Sequence, residues 1–269
     1  MPSNSAAYTR HKALLTRHLS MQRYRDQALI LQVDKFGDHD AIVHFFTESH
    51  GLNRGVVKAG LSSKRRADMQ PATLVEAQWS ARLPEHLGTL SVEGAQGFGA
   101  RVMHNPLALA AVGSATGLLG LMMAERDPHP ELFHTSVDFL RHVAAGVEPL
   151  IWLAEYVRLE MALLEQAGFG IDLSECAATG STEELIYVSP KSGRAVCRSA
   201  GAPYHDRMLP LPECVRDSNH LPDSILEIQQ GLVLTGHFIE NRMLPALHRK
   251  PPPLRAHFVA LVGRMDVAP

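Results

Sequence analysis

Three cysteines among 269 residues, Cys176, Cys197 and Cys214, are too few and stand too late in the chain for a disulfide framework, which makes a reducing cytoplasm the simplest compartment. Any large excess of charge is also missing. The 26 Lys and Arg against 28 Asp and Glu leave a net charge of −2, which excludes a histone-like attraction of the whole surface to nucleic acid and leaves only a local patch to provide it. There is no P-loop, no usable GxGxxG and no nucleophile motif, so ATP, nucleotide cofactors and acyl transfer have no support. The uncharged run 107–124 raises the question of a membrane span. It is diluted by Gly113, Ser114, Thr116, Gly117 and Gly120 and reads as a buried helix of a bundle. Acidic residues are absent from 1–25, which carry Arg10, Lys12, Arg17, Arg23 and Arg25. Such an arm has the look of a transit peptide. Met21 stands just before the first strand-like run, however, and makes 1–20 an upstream start or a disordered arm.

With 45% hydrophobic and 20% charged residues, the chain is ordinary for a globular protein, and its length suggests two domains. Residues 26–99 read as strands at 28–33, 41–47, 51–58, 73–82 and 87–95, with a turn at 35–38. In the second of these, Ala41, Val43 and Phe45 share one face and Ile42, His44 and Phe46 the other. The third strand runs into RGVVKAGLSSKRR at 54–66, a Gly and Ser loop with Lys64, Arg65 and Arg66. Basic side chains on a flexible tether displace condensed counterions from nucleic acid, although a short basic run is more often only a solvated surface. Five strands with a long basic third loop suggest an OB-type barrel. Phe36, Phe46 and Trp79 are candidates for a stacking platform of the kind that binds single strands, and each reads first as a core residue.

At Asn105-Pro106 the period changes to helical. Helices are expected from 106 to about 125, from 130 to Gly146, and from 149 to Gly168. Residues 171–220 lose the helical period and contain a hairpin at 186–197. Helix returns from 224 to about 247, broken near Pro245, and a last amphipathic helix carries Leu254, Phe258 and Leu261.

This order of segments resembles the RecO family of bacterial recombination mediators. The likeness is carried by ALILQVDKFGDHDAIVHFFTESHGLNRGVVKAG at 28–60, MQP at 69–71, LGTLSVEGAQG at 87–97, VRLEMALLEQAGFGIDLSECA at 157–177 and YVSPKSGRAVC at 187–197. The resemblance implies an α+β multidomain protein. Its parts would be an arm at 1–23, an OB-fold domain at 24–100, a helical domain at 104–170 and 221–264, and a zinc-finger-like insertion at 171–220. It also implies a DNA repair protein without covalent chemistry, which binds single- and double-stranded DNA, anneals complementary strands and, with RecR, helps RecA load onto strands coated by single-strand-binding protein. The expected location is the cytoplasm, in association with the nucleoid and with no membrane.

On this resemblance the DNA-binding candidates are Arg54, Lys58, Lys64, Arg65 and Arg66. Arg158 precedes the segment that matches the family's third-helix motif, whose surface receives the C-terminal tail of single-strand-binding protein, and Arg242 is a further candidate, with Arg249 behind it. A guanidinium can hold a tail carboxylate in two parallel hydrogen bonds; equally, Arg158 can pair with Glu155. Zinc-binding members of the family have two CxxC pairs. Here Thr179 follows Cys176 and Ala200 follows Cys197 at the matching steps. Cys214, His205 and His220 have spacings that fit no usual pattern, so no cofactor is expected and Cys176 and Cys197 read as small buried residues. The alternatives are a scaffold that binds only proteins and a metal-dependent nuclease using Asp38, His39, Asp40 and His44; the latter residues lie in a turn that needs polar side chains for backbone reasons.

Overall fold

The computed structural model describes residues 22–83, 86–217 and 219–265. The expected arm lies outside these residues, except for its last two.

Five strands form a closed barrel in the order β1-β2-β3-β5-β4: β1 (Gln22–Phe36), β2 (Asp40–Thr47), β3 (Gly51–Val57), β4 (Thr73–Ala81) and β5 (Thr89–Gly97). β1 is much longer than its apolar run, because the polar residues from Gln22 to Gln27 pair in register with Ala81 to Glu76 of β4 while its second half pairs with β2. Those residues alternate between the outer surface and the barrel mouth, so they give no apolar signal. Closure is thinnest between β3 and β5, which meet in parallel at Val56 and Thr89. Ala28, Ile30, Ala41, Val43, Phe45, Val75 and Trp79 fill the interior.

Phe46 points outward instead, and its ring meets that of Phe133 edge-on with centroids 5.7 Å apart. Around it, Leu29, Leu31, Leu52 and Leu74 join one continuous core with the helices. The helices are α1 (Pro106–Met122), α2 (Pro130–Ala145), α3 (Pro149–Gln166), α4 (Ile225–Phe238) and α5 (Pro253–Val262). Asn105 caps α1 by accepting from the Ala108 N–H at 3.1 Å, and Gly146 closes α2 at φ 70°, both as their positions predict. α1 and α5 approach closely because a Cβ on Gly113 would lie 2.9 Å from Leu254 Cδ1.

Two helical expectations need correction. The irregularity near Pro245 lies upstream of it, where residues Ile239–Met243 widen into a π-turn and the Leu244 N–H reaches back to the Ile239 carbonyl. Proline has no N–H to give and crowds the preceding turn, so the ladder changes before it arrives. In α5 the stripe Leu254, Phe258 and Leu261 is rotated from the face that is buried: Leu254 is 48% exposed, and the core side carries Arg255, Phe258 and Val262. An arginine on the buried face misleads any reading by apolar period.

The insertion forms a three-stranded sheet, β7-β6-β8, from β6 (Leu185–Val188), β7 (Ala195–Cys197) and β8 (Leu209–Pro210). The hairpin matches its sequence signal; the two-residue third strand is too short to leave one. Among the described residues, no helix is long and apolar enough to cross a membrane.

Candidate nucleic-acid interface

The basic loop between β3 and β4 is folded, not a free tether. Leu61 donates its N–H to the His39 carbonyl at 3.0 Å, and Met69, 3% exposed, enters the barrel core. Between these anchors Arg65 and Arg66 both donate backbone N–H groups to the Ser62 carbonyl, and Met69 reaches back to Arg65. The segment therefore plugs one end of the barrel with an apolar residue and turns its cations outward. Lys64 and Arg66 are exposed and Arg65 is partly buried. Among the described residues, none of the three forms an ion pair with a carboxylate.

Arg54 and Lys58 are placed differently. Arg54 Nε lies 3.0 Å from Glu125 Oε1, just beyond α1, at the joint where the Arg126 N–H donates to the Leu52 carbonyl. Lys58 Nζ lies 2.7 Å from Asp40 Oδ2, while Asp40 Oδ1 accepts from the Ala59 N–H at 2.9 Å. The Lys58 hydrogen bond, followed by that of Ala59, holds the Asp40 carboxyl below its usual range. His44 is taken by Asp34 at 3.1 Å. Asp40 and His44 of the nuclease alternative thus face separate partners, and among the described residues no three His, Cys, Asp or Glu side chains gather where a metal could sit.

Of the three aromatic candidates, Phe46 and Trp79 are buried and Phe36 is 45% exposed. Trp79 is fixed by donating Nε1–H to the Arg54 carbonyl at 3.0 Å. Gly88, at φ 72°, lies so close that a Cβ would be 2.4 Å from that nitrogen. The sequence reading missed Tyr24. Its ring stacks on His50 at 3.8 Å on one side and on Trp79 at 5.3 Å on the other. Burial, then the charge of Asp26, raises its hydroxyl above the ordinary tyrosine range, opposed by Arg126. The alternation Arg23-Tyr24-Arg25 was the available signal.

Both arginines assigned to partner binding hold the insertion to the helices. Arg158 donates from Nε to the Cys214 carbonyl at 3.0 Å and from Nη2 to the His220 carbonyl at 2.7 Å. Glu155 pairs with His142, not with Arg158. Arg242 donates to the Pro190 carbonyl at 2.9 Å and also to that of Lys191. In the insertion, Cys176 Sγ accepts the Cys197 N–H at 3.2 Å, and the Thr179 hydroxyl lies 3.5 Å from Cys197 Sγ. The two thiols and Thr179 thus share one hydrogen-bonded cluster. Thr179 is not a thiolate and Ala200 has no donor, so these residues do not fit a four-sulfur zinc site.

Residues 21–98 match the family model Recombination protein O N terminal, and residues 103–251 match Recombination protein O C terminal. The chain is similar to a DNA repair protein RecO of Dinoroseobacter shibae, 40% identical over 245 residues that cover 91% of this chain and 99% of the relative. It is also similar to the DNA repair protein RecO of Methylocella silvestris, 43% identical over 241 residues, which are 88% of this chain and 94% of that one.

Proposed function

The chain belongs to the RecO family and acts in DNA repair and recombination, and from that premise we propose that it binds single- and double-stranded DNA and anneals complementary strands. With RecR it helps load RecA onto strands coated by single-strand-binding protein. The observation that carries the reading is the plug loop anchored by Met69, on which Lys64 and Arg66 are exposed, Arg65 is partly buried and, among the described residues, none of the three pairs with a carboxylate. Cations held in place this way release counterions from the phosphates without spending conformational freedom on each contact. Two strands gathered by their backbones repel each other less, and their base edges remain free to pair. No side chain acts as acid, base or nucleophile in such a process.

Protein partners fit the helical side. The tail of single-strand-binding protein is assigned to the surface beside Arg158 and Arg242, whose hydrogen bonds to carbonyls fix the guanidinium planes that an approaching carboxylate meets. The setting is the cytoplasm, at the nucleoid. The test is annealing of two complementary fluorescent oligonucleotides by the purified protein, in EDTA and across a salt series. Acceleration that survives chelation and fades with salt is expected. No acceleration in any buffer means a scaffold that binds only proteins, and cleavage that requires a divalent metal means an enzyme.

A further inference from the structure

The helices cover only part of the barrel. α1 and α2 pack on β1 and β2, over Leu29, Phe46 and Leu52, while Arg23 and Arg25 of β1, Gln78 of β4 and Thr89, Ser91 and Glu93 of β5 are exposed on the outward side. Strand register arranges that face in three rows. Across the first, Arg23 pairs with Ser80 and Ser80 with Thr89; across the second, Arg25 pairs with Gln78 and Gln78 with Ser91. Across the third, Gln27 pairs with Glu76 and Glu76 with Glu93. Directly paired residues in antiparallel strands point to the same face, so the rows run from basic with hydroxyl and amide donors to acidic. A cleft of about 520 Å³ lies over the first two rows, with Tyr24 and Trp79 contributing to its lining. At the basic end Thr89 pairs with Val56, two residues before Lys58 and the plug loop.

We propose that this face carries a single strand of nucleic acid, its backbone crossing β1, β4 and β5 along the first two rows toward the plug loop, with Glu76 and Glu93 forming the boundary. The inference rests on the DNA-binding reading and gives it a site that the loop alone does not. Arginine, glutamine, serine and threonine are the side chains that hold phosphate and sugar oxygens without reading bases. Two neighbouring carboxylates repel phosphate, and as the third row they flank the path on the side away from Arg23. Three adjacent strands span only about 10 Å, and each of the first two rows holds one arginine at its β1 end, so the patch has room for one backbone and not for a duplex. Arg25 Nε is 3.5 Å from Glu76 Oε2 of the third row across an exposed pair, and its side chain stays 61% exposed, so a phosphate can compete for it.

The test is fluorescence anisotropy of a labelled oligothymidylate with the full chain, across a salt series, for wild type, Arg25→Ala and Glu93→Lys. Both positions are exposed, and circular dichroism checks that each variant is folded. Arg25→Ala should weaken binding and reduce the slope of log K against log salt by about 0.7, the value of one phosphate contact on a single strand. Glu93→Lys should strengthen binding and steepen the slope by a similar amount. Wild-type affinity and slope in both variants overturn the path while leaving DNA binding through the loop intact. A wild-type protein that does not bind the oligonucleotide overturns the function itself. Equal sensitivity of a duplex probe to Arg25→Ala overturns the single-strand assignment.

Discussion

Arg255 of α5 and Glu160 of α3, 95 residues apart, form a two-point ion pair in the helical core, with Nε to Oε1 at 2.7 Å and Nη2 to Oε2 at 2.9 Å. The side chains are 3% and 0% exposed. Tyr156 and Thr235 donate hydroxyls to the same carboxylate, and Ser114 bonds to the Tyr156 hydroxyl at 2.6 Å, so α1, α3, α4 and α5 share one network. Burial works against the Arg255 charge, but Glu160 more than offsets it and its pKa is raised. Losing one partner strands a buried charge, so Arg255→Leu should cost about 3–5 kcal/mol. Adding Glu160→Leu should recover much of that loss, and urea unfolding of the two variants measures both effects.

The same pair marks how far the sequence is legible. Three helices, the hairpin and the barrel strands after the first carry periodicity and punctuation and lie close to where those signals put them, while β1 begins six residues before its apolar run. Arg255 has no such signal: one charge on an otherwise apolar face reads as the polar side, and its partner lies on another helix. Likewise, the basic loop is visible as composition, but its role as a plug depends on Met69 finding the barrel interior. The outward rows of β1, β4 and β5 are set by register, which only pairing fixes.

Gly51 sits at the joint between barrel and helices, at φ 66°, where a Cβ would lie 2.1 Å from the Asp127 carbonyl oxygen. Gly51→Ala meets both backbone strain and a backbone clash, and is expected to destabilise by at least about 2 kcal/mol. For a chain of this size that lowers Tm by about 4 °C or more. Differential scanning calorimetry checks it. An unchanged Tm means the joint yields without cost.

The thiol of Cys176 predicts a pH dependence of stability. Burial pushes its pKa up, but the Cys197 N–H, the Thr179 hydroxyl, the Ala178 N–H and the Cys197 thiol outweigh it and bring it down to about 6. An unfolded thiol titrates at about 8.5, so between these values the unfolded state binds more protons and stability rises with pH. The contribution is complete above the unfolded value and is lost as pH falls through 6. Denaturation midpoints at pH 6, 7 and 8 should therefore increase in wild type. Thr179→Val removes one donor and should flatten the trend; a parallel trend in that variant assigns it to other groups.

The five cations assigned to DNA are not equivalent, and their separate environments give a graded prediction. Among the described residues Lys64, Arg65 and Arg66 pair with no carboxylate, so the triple alanine variant should weaken binding to every DNA sequence and reduce the single-strand salt slope by about 2, at about 0.7 per contact. Lys58 must share itself with Asp40, so Lys58→Ala should cost less affinity than an average member of the triple. Arg54 is paired with Glu125 at the joint, and Arg54→Ala should lower Tm, which Lys58→Ala should not, while costing less affinity than an average member of the triple. Salt-dependent anisotropy and calorimetry on the three variants separate these effects. Equal losses of affinity per cation in the three variants would mean that the ion pairs of Arg54 and Lys58 open whenever DNA arrives, making the surface from β3 to the plug loop uniformly cationic.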